Sequence, residues 1–227
     1  MLVQDFKILI VCEESDRVRS AFEKLGFDAW SCDILPTRNP DSSKHLQMDA
    51  FESLKFKKWD AMIGFPPCTH LCLSGAQYWK KKRELGLQQD AIKFFTDLYN
   101  APINHIALEN PIGILNKAFR KYDQLIHPYY FGDPAQKSTC LWLKNLPKLI
   151  HIKSNNLFES STYVDLPPNK VYYTKEGKKR ISSDFHYSTF CLNPKIRAKV
   201  RSTTFEGIAN AMANQWGNYF IELYNLK

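Results

Sequence analysis

The chain has 227 residues, of which 44% are hydrophobic, so a sizeable core is possible and global disorder is excluded. Its formal net charge of +8 favours a polyanionic partner such as nucleic acid. Its six irregularly spaced cysteines do not form a disulfide framework, and no apolar run approaches the length of a membrane span. We expect no signal peptide before the first predicted strand. We therefore expect a reduced, cytoplasmic protein.

The N-terminal part alternates short apolar runs with a helical pattern. Residues 7–12 form a continuous apolar run that is typical of a buried parallel strand. Residues 15–25 carry apolar side chains at helical spacing, and Gly26 is a plausible stop. Residues 27–32 predict a second strand, which ends in Asp33. Strand, helix and strand together have the size of a βαβ unit.

The middle of the chain continues the alternation. A short run at residues 45–48 indicates a third strand that ends before Asp49. Residues 59–65 predict a further strand, residues 87–100 a helix with one apolar face, and residues 105–108 the next strand. Strands that alternate with helices predict an α/β fold with a doubly wound, mostly parallel sheet.

The C-terminal third changes character. Residues 114–122 predict a helix and residues 139–143 a strand. Residues 150–199 are polar and include the basic run 175–180, which resembles a hairpin tip around Gly177. Residues 203–215 predict a closing helix, which residues 216–226 either continue or follow with a strand. We expect one α/β domain, residues 1–149 and 200–227, with a small polar insert at 150–199.

Three chemically reactive side chains fall at predicted strand ends. They are Asp33, Cys68 and Glu109, and ligands bind at the carboxyl ends of strands in α/β sheets. Pro66 and Pro67 cannot continue a sheet ladder, so Cys68 follows the strand directly. A thiolate is a strong nucleophile, and a carboxylic acid can protonate a base ring. A buried cysteine and a helix-capping acid are the plainer alternatives for each residue taken alone.

Four segments in this order carry a resemblance to a known family. The segment FPPCTHLCLSG at 65–75 resembles the Pro-Cys motif of DNA cytosine carbon-5 methyltransferases, and ALENP at 107–111 resembles their Glu-Asn-Val motif. The segment YFGDPAQKSTCLWL at 130–143 resembles their Gln-Arg-rich motif, and RSTTFEGIANAMANQ at 201–215 is similar in placement to their last motif. The set also resembles small phage-encoded proteins of this kind, which would work in the host cytoplasm.

The resemblance implies a Rossmann-like methyltransferase fold and a covalent mechanism on DNA. Cys68 would attack carbon 6 of a cytosine, and Glu109 would contact the ring nitrogen and the exocyclic amine. Asn110 and Pro111 would shape the Glu109 loop. Carbon 5 would then take a methyl group from S-adenosylmethionine, and a cytosine in duplex DNA would first be flipped out.

The resemblance also implies cofactor contacts near the first strand. The residues expected there are Glu13, Glu14, Ser15, Asp33, Asp49 and Asn210. Asp33 suits a ribose diol, as in nucleotide-binding βαβ units. The family's glycine-rich first turn is replaced by Cys-Glu-Glu-Ser at 12–15, so the cofactor either sits differently or is another donor. Acids at a helix N-terminus, and a turn or cap for Asp49, are the open alternatives.

Substrate contacts are expected at the Pro-Cys loop, in the Gln-Arg-rich segment and on a basic run. They comprise Pro67, Ser74, Gln136, Lys137, Lys80, Lys81 and Lys82. Ser138 and Thr139 stand where the family has arginines. The basic run follows Tyr78 and Trp79, and aromatics beside cations suit base stacking and phosphate contact. A solvated helix start is the alternative.

Three rival interpretations remain. Cys68, His70 and Cys72 carry zinc-type donors, but their spacing lacks a paired C-x2-C, so no metal is expected. A non-catalytic nucleic-acid-binding protein on a methyltransferase scaffold would also lose glycines and arginines. A pyrimidine-nucleotide-modifying enzyme that uses another donor is the third alternative.

Overall fold

In the computed structural model, which describes residues 1–153, 162–174 and 176–227, the chain folds into two compact units. Unit 1 consists of Met1–Ile126, Ser138–Leu149 and Asn210–Lys227, and unit 2 of His127–Lys137 and Ile150–Ala209. Unit 2 therefore contains the polar segment 150–199 and additionally takes in residues 127–137 and 200–209.

Unit 1 is built on a seven-stranded sheet with the order β3-β2-β1-β4-β5-β7-β6. Its strands are β1 (Lys7–Val11), β2 (Asp28–Asp33), β3 (His45–Gln47), β4 (Ala61–Gly64), β5 (His105–Asn110), β6 (Gln124–Ile126) and β7 (Thr139–Lys144). Strands β1 to β5 pair in parallel, and β7 runs antiparallel to both β5 and β6. The predicted Rossmann-like, mostly parallel fold is confirmed.

The helices of unit 1 cover both faces of the sheet. They are α1 (Arg17–Glu23), α2 (Ala50–Phe56), α3 (Trp79–Glu84), α4 (Leu87–Tyr99), α5 (Leu115–Ala118) and most of α8 (Glu206–Tyr224). Alternate β1 residues point to opposite faces. Leu9 belongs to a buried cluster with Phe95 of α4. Near the other end of the same segment, Phe6 stacks on Phe220 of α8 with ring centroids 4.7 Å apart. Apolar burial on both faces explains the continuous apolar pattern of the central strands.

Some sequence-based boundaries need correction. Strand β5 extends to Asn110, so Glu109 lies inside the strand instead of just after it. The helix predicted at 114–122 is limited to α5, and the short strand β6 that follows was missed. The C-terminal segment is one continuous helix, α8, so a final strand at 216–226 is excluded.

Unit 2 contains a two-stranded hairpin and two short helices. These elements are β8 (Lys170–Tyr173), β9 (Lys179–Ser182), α6 (Asp184–Phe190) and α7 (Pro194–Ser202), and α8 begins in this unit. The hairpin turn lies where the sequence predicted it, and Gly177 has a positive φ of 75°. Lys175, the first residue of that basic run, lies outside the described residues. Within the described part of the chain, no helix is both long and apolar enough to span a bilayer.

Candidate active site at the carboxyl edge of the sheet

The carboxyl ends of the five parallel strands meet at one edge of the sheet. The sequence motifs around Cys12, Asp33, Cys68 and Glu109 all belong to unit 1 and all reach this edge. The edge has two halves, which we call the β1–β3 half and the β4–β5 half. The second half carries the proposed nucleophile, and the first carries most of the residues predicted to contact a cofactor.

The segment after β4 forms a tight turn around Cys68. Pro66 is buried and Pro67 is exposed. The Cys68 carbonyl accepts hydrogen bonds from the amides of Leu71 and Cys72, both at 3.0 Å. The prolines end the ladder and the turn then reverses the chain, which leaves the half-buried Cys68 thiol just beyond the strand. We call residues 66–75 the Cys68 loop.

The Cys68 loop is held against the segment that follows β5. The Asn110 side-chain amide donates to the Pro66 carbonyl at 2.8 Å, and Asn110 is completely buried. Further along, the Leu73 amide donates to the Ile112 carbonyl at 3.0 Å, and the Ile114 amide donates to the Leu71 carbonyl at 2.9 Å. These bonds fix the Cys68 loop relative to the strand that carries Glu109.

Gly113 permits this close approach. A Cβ atom at Gly113 would lie 2.1 Å from the Leu71 carbonyl oxygen, which is far inside van der Waals contact. Cys72 and Gly113 also form an isolated antiparallel bridge. No side chain larger than hydrogen therefore fits at position 113 while the loop keeps this position.

Glu109 occupies the penultimate position of β5 and is half-buried. It lies opposite Leu141 of β7, and the last β4–β5 pair, Gly64 and Leu108, immediately precedes it. Burial and the nearby Glu109 charge raise the pKa of the Cys140 thiol to about 12. Cys140 is therefore an inert, protonated thiol.

In the β1–β3 half, Cys12 takes the place of a glycine. Its φ is +59°, in the left-handed region that glycine adopts without strain. Burial and the charges of Asp33, Cys32 and Asp49 raise the pKa of the Cys12 thiol. This thiol is therefore neutral, and the carboxylates of Asp33 and Asp49 lie near it.

Glu13 caps helix α1. Its carboxylate accepts from the amides of Val18 at 2.8 Å and Arg19 at 3.2 Å, and from the Ser15 hydroxyl at 3.1 Å. Burial raises the pKa of Glu13 to about 7, although these three hydrogen bonds oppose the shift. The contacts of Glu13 and Ser15 are those expected of polar residues at a helix N-terminus. Contact of these two residues with a cofactor stays a prediction.

The other acidic residues of this half differ in the partners that their carboxylates have. Glu14 forms an ion pair with Arg38. The Asp49 carboxylate caps α2 by accepting from the Phe51 amide at 2.8 Å. Asp33 accepts from the Leu35 amide at 2.9 Å, and burial followed by the Glu14 charge raises its pKa. Asp33 stays partly exposed at the end of β2, where a ribose diol could reach it.

The predicted substrate contacts are not all brought together. Ser74 is exposed on the Cys68 loop, and Lys80 and Lys81 are exposed at the start of α3. The Lys82 ammonium instead donates to the Thr69 carbonyl, so this side chain folds back on the Cys68 loop.

Two further predicted residues belong to unit 2, and a third lies on α8. Gln136 and Lys137 belong to unit 2, where the Gln136 carbonyl accepts from Ser183 at 3.3 Å and the Lys137 ammonium donates to the Arg201 carbonyl at 2.8 Å. Asn210 is exposed on α8. The roles predicted for these three residues stay predictions.

Two contributors to the site were not identified as such from sequence. Gly113 was overlooked, although a glycine two residues after the Glu-Asn-Pro sequence is a signal of close backbone approach. Cys72 was weighed only as a metal ligand, whereas its side chain hydrogen-bonds to Cys68. Among the described residues, no group of three His, Cys, Asp or Glu side chains could hold a metal ion.

Comparison with known proteins assigns no family to the chain. No family model matches the chain, and no curated protein matches it. One similar solved structure is that of a protein proposed to be a DNA modification methyltransferase, encoded within a prophage of E. coli. It is 15% identical, with 86% of this chain and 69% of that chain covered and a TM-score of 0.44. The function proposed for this chain therefore rests on its own residues.

Proposed function

We propose that this chain is a DNA cytosine carbon-5 methyltransferase that uses S-adenosylmethionine, with Cys68 as nucleophile and Glu109 as its acid partner. The observation that carries the proposal is the attachment of the Cys68 loop to the β5 segment. The Asn110 amide bonds the Pro66 carbonyl at 2.8 Å, and Gly113 lets the two backbones touch. This arrangement keeps a thiol in the loop after β4 near a carboxyl group on the adjacent strand β5, as covalent catalysis on a pyrimidine requires.

Each residue has a defined chemical task in this proposal. The Cys68 sulfur bonds to carbon 6, and the electron pair of the carbon 5–carbon 6 double bond moves to carbon 5. Glu109 hydrogen-bonds the ring nitrogen and the exocyclic amine, which stabilises the charge that develops on the ring. Asn110 holds both partners in register through its bond to Pro66.

The β1–β3 half fits a cationic methyl donor. S-adenosylmethionine, when bound, supplies the methyl group for carbon 5, and it carries a positive sulfonium and a positive ammonium group. The charges of Asp33 and Asp49 both act on Cys12, and that of Glu14, which is paired with Arg38, acts on Asp33, so acidic side chains cluster in this half. Asp33 would hold the ribose hydroxyls, and Glu14 and Asp49 would attract the positive groups.

The start of α3 suits contact with the DNA backbone. Lys80 and Lys81 are exposed, and the neighbouring Tyr78 is 57% exposed. Lysines contact phosphates without reading sequence, and an exposed aromatic ring can stack on an unpaired base. Because α3 follows the Cys68 loop directly, a strand bound there would pass close to the nucleophile.

Trapping of the covalent adduct tests the proposal. Fluorine at carbon 5 cannot leave as a proton does, so an enzyme that methylates carbon 5 stays attached to the base. The protein is incubated with S-adenosylmethionine and a long PCR product made with 5-fluoro-dCTP, which covers many target sequences. We expect a denaturant-stable adduct that mass spectrometry maps to Cys68. Cys68→Ser should abolish it, and Cys191→Ser, at an exposed cysteine of unit 2, should leave it unchanged.

The same experiment separates the alternative function. The hydrogen-bonded Glu13 and the left-handed Cys12 would also suit a scaffold that has lost its cofactor and binds nucleic acid without catalysis. Such a protein would bind the DNA and form no adduct and transfer no methyl group. Methyl transfer without an adduct at Cys68 would instead exclude the covalent mechanism.

A further inference from the structure

Two cysteines of the Cys68 loop interact directly. Cys72 follows Cys68 by one turn, and the Cys72 amide donates to the Cys68 carbonyl at 3.0 Å. The two side chains are hydrogen-bonded to each other, and both are half-buried. The covalent mechanism uses only one of these thiols, so the second needs an explanation.

Three further groups around Cys72 favour a negative sulfur. The Ser74 hydroxyl lies 3.1 Å from the Cys72 sulfur, and the Gly75 amide also donates to it. The Lys82 ammonium lies 3.2 Å from the position that a Cβ would take on Gly75. The hydrogen bond from Cys68, and after it those from Ser74 and Gly75 and the charge of Lys82, lower the pKa of Cys72 to about 5 against the effect of burial.

We propose that Cys72 is the proton acceptor for Cys68, such that the two sulfur atoms share one proton at rest and Cys72 takes it when Cys68 bonds to carbon 6. This inference rests on the proposed function. The inference also gives a role to Lys82, whose side chain folds back on the Cys68 loop. Its positive charge stabilises the thiolate of the pair.

The proton transfer balances in both directions. As the Cys68 sulfur bonds to carbon 6, its S–H bond breaks and the proton moves to the Cys72 sulfur. The double-bond electron pair moves to carbon 5, where it would form the bond to the donor's methyl group. On release, the carbon 5 proton leaves to water and its bonding pair restores the double bond. The sulfur–carbon 6 pair returns to Cys68, and Cys72 gives the proton back. No oxidant or reductant takes part.

The shared proton solves a problem of nucleophile supply. An isolated cysteine with a pKa near 8.5 is only a few per cent thiolate at neutral pH. A hydrogen-bonded pair with one proton always has one thiolate equivalent, and the proton needs to move only across that bond. The charged group that the structure brings to the pair is Lys82. His70 lies between the cysteines in sequence, and Glu109 lies on the adjacent strand.

Thiol chemistry of the protein alone tests the inference. Full-length protein without DNA or methyl donor is treated with iodoacetamide over a range of pH, and the thiolate is followed by its ultraviolet absorbance. Both cysteines lie in the tryptic peptide 59–80, in which fragment ions separate the two sites. We expect wild-type Cys68 to alkylate at a rate nearly independent of pH between about pH 6 and 8.

Cys72→Ser should change that profile. A serine hydroxyl does not ionise in this range, so Cys68 should alkylate about tenfold or more slowly near pH 6.5 and recover as pH rises. One thiolate equivalent should disappear from the absorbance at low pH. Lys82→Met should produce a smaller slowing in the same direction and serves as the second variant. Cys191→Ser is the matched control and should match the wild type.

The outcomes are distinct from those of the adduct experiment. If Cys68 in Cys72→Ser alkylates at the wild-type rate at every pH, Cys72 is not the acceptor and the inference is overturned. If the wild-type pair lacks a thiolate near pH 6.5, it is likewise overturned. If the proposed function is wrong, no adduct forms with DNA. The alkylation rates of the free protein do not depend on that result, so they test the Cys68–Cys72 pair separately.

Discussion

The two halves of the sheet edge are built by different means. In the β4–β5 half, the functional residues are held by contacts between segments distant in sequence, such as Asn110 with Pro66 and Gly113 with Leu71. In the β1–β3 half, the acids are engaged mainly by their own local backbone. Glu13 caps α1 and Asp49 caps α2.

This difference indicates which half carries the stronger functional signal. The contact of Gly113 with Leu71 restricts position 113 to glycine, and the contact of Asn110 with Pro66 requires a buried amide to find its partner. Such restrictions on the sequence are expected where the position of the loop matters for function. Helix caps, in contrast, stabilise any protein of this fold. The β4–β5 half is therefore specified by its geometry, whereas the β1–β3 half is specified mainly by its acidic side chains.

The largest expected effect comes from Gly113→Ala, which should separate the Cys68 loop from β5. Its Cβ would lie 2.1 Å from the Leu71 carbonyl oxygen, and backbone cannot move aside as a flexible side chain can. We expect a loss of at least about 3 kcal/mol in the free energy of unfolding, measured by urea titration, and loss of adduct formation.

Gly75→Ala is the matched control in the same loop. Its Cβ would meet the end of the Lys82 side chain at 3.2 Å, and that flexible end can shift. It should cost well under half as much stability as Gly113→Ala. Equal losses for the two variants would show that the loop does not depend on its close approach to β5.

A smaller effect is expected in the β1–β3 half, from the titration of Glu13. Its pKa rises from 4.5 to about 7 on folding because of burial, so between these values the folded state holds a proton that the unfolded state has lost. The contribution of Glu13 to stability is therefore fully present below about pH 4.5 and falls as pH rises to 7. The fall is on the order of 3 kcal/mol.

Glu13→Gln isolates this contribution, since glutamine does not titrate. The stability of the variant relative to wild type, from urea titrations at several pH values, should rise across this window. Glu52→Gln, at an exposed glutamate of α2, gives the reference for removing one surface carboxyl group. A relative stability that falls with pH would mean that the amides of Val18 and Arg19 outweigh burial and that the cap is charged.

Sequence reasoning reached the parallel sheet because its signals are local. The apolar runs of β1 and β4, the proline stop at Pro66 and the helical spacing of α4 depend on residues close together in the chain. What it missed depends on tertiary contacts. Strand β6 has three residues, with Ile126 buried and the other two half-buried, and it pairs only with β7. The partners of Lys82 and Cys72 appear only once α3 and the loop are folded.

The carboxylates of the β1–β3 half show a second limit of prediction from sequence. Asp33, Glu13 and Asp49 were each predicted from sequence as cofactor contacts or helix caps, and the local pattern could not separate the two roles. The deciding quantity is the direction of each carboxylate. That of Glu13 points to the amides of α1, and that of Asp49 to the Phe51 amide, whereas that of Asp33 accepts from the Leu35 amide in its own turn.

The smallest expected effect separates the two roles of Asp49. Asp49→Ala removes the acceptor for the Phe51 amide and should cost about 1 kcal/mol in unfolding free energy. Asp49→Asn keeps an N-cap acceptor of similar quality and should cost little, while it removes the negative charge. Calorimetric binding of S-adenosylmethionine to both variants completes the comparison. If the charge attracts the donor, both variants bind it more weakly, although only Asp49→Ala is destabilised. If both bind it like wild type, Asp49 is a cap alone, and the negative potential of this half must come from Asp33 and Glu14.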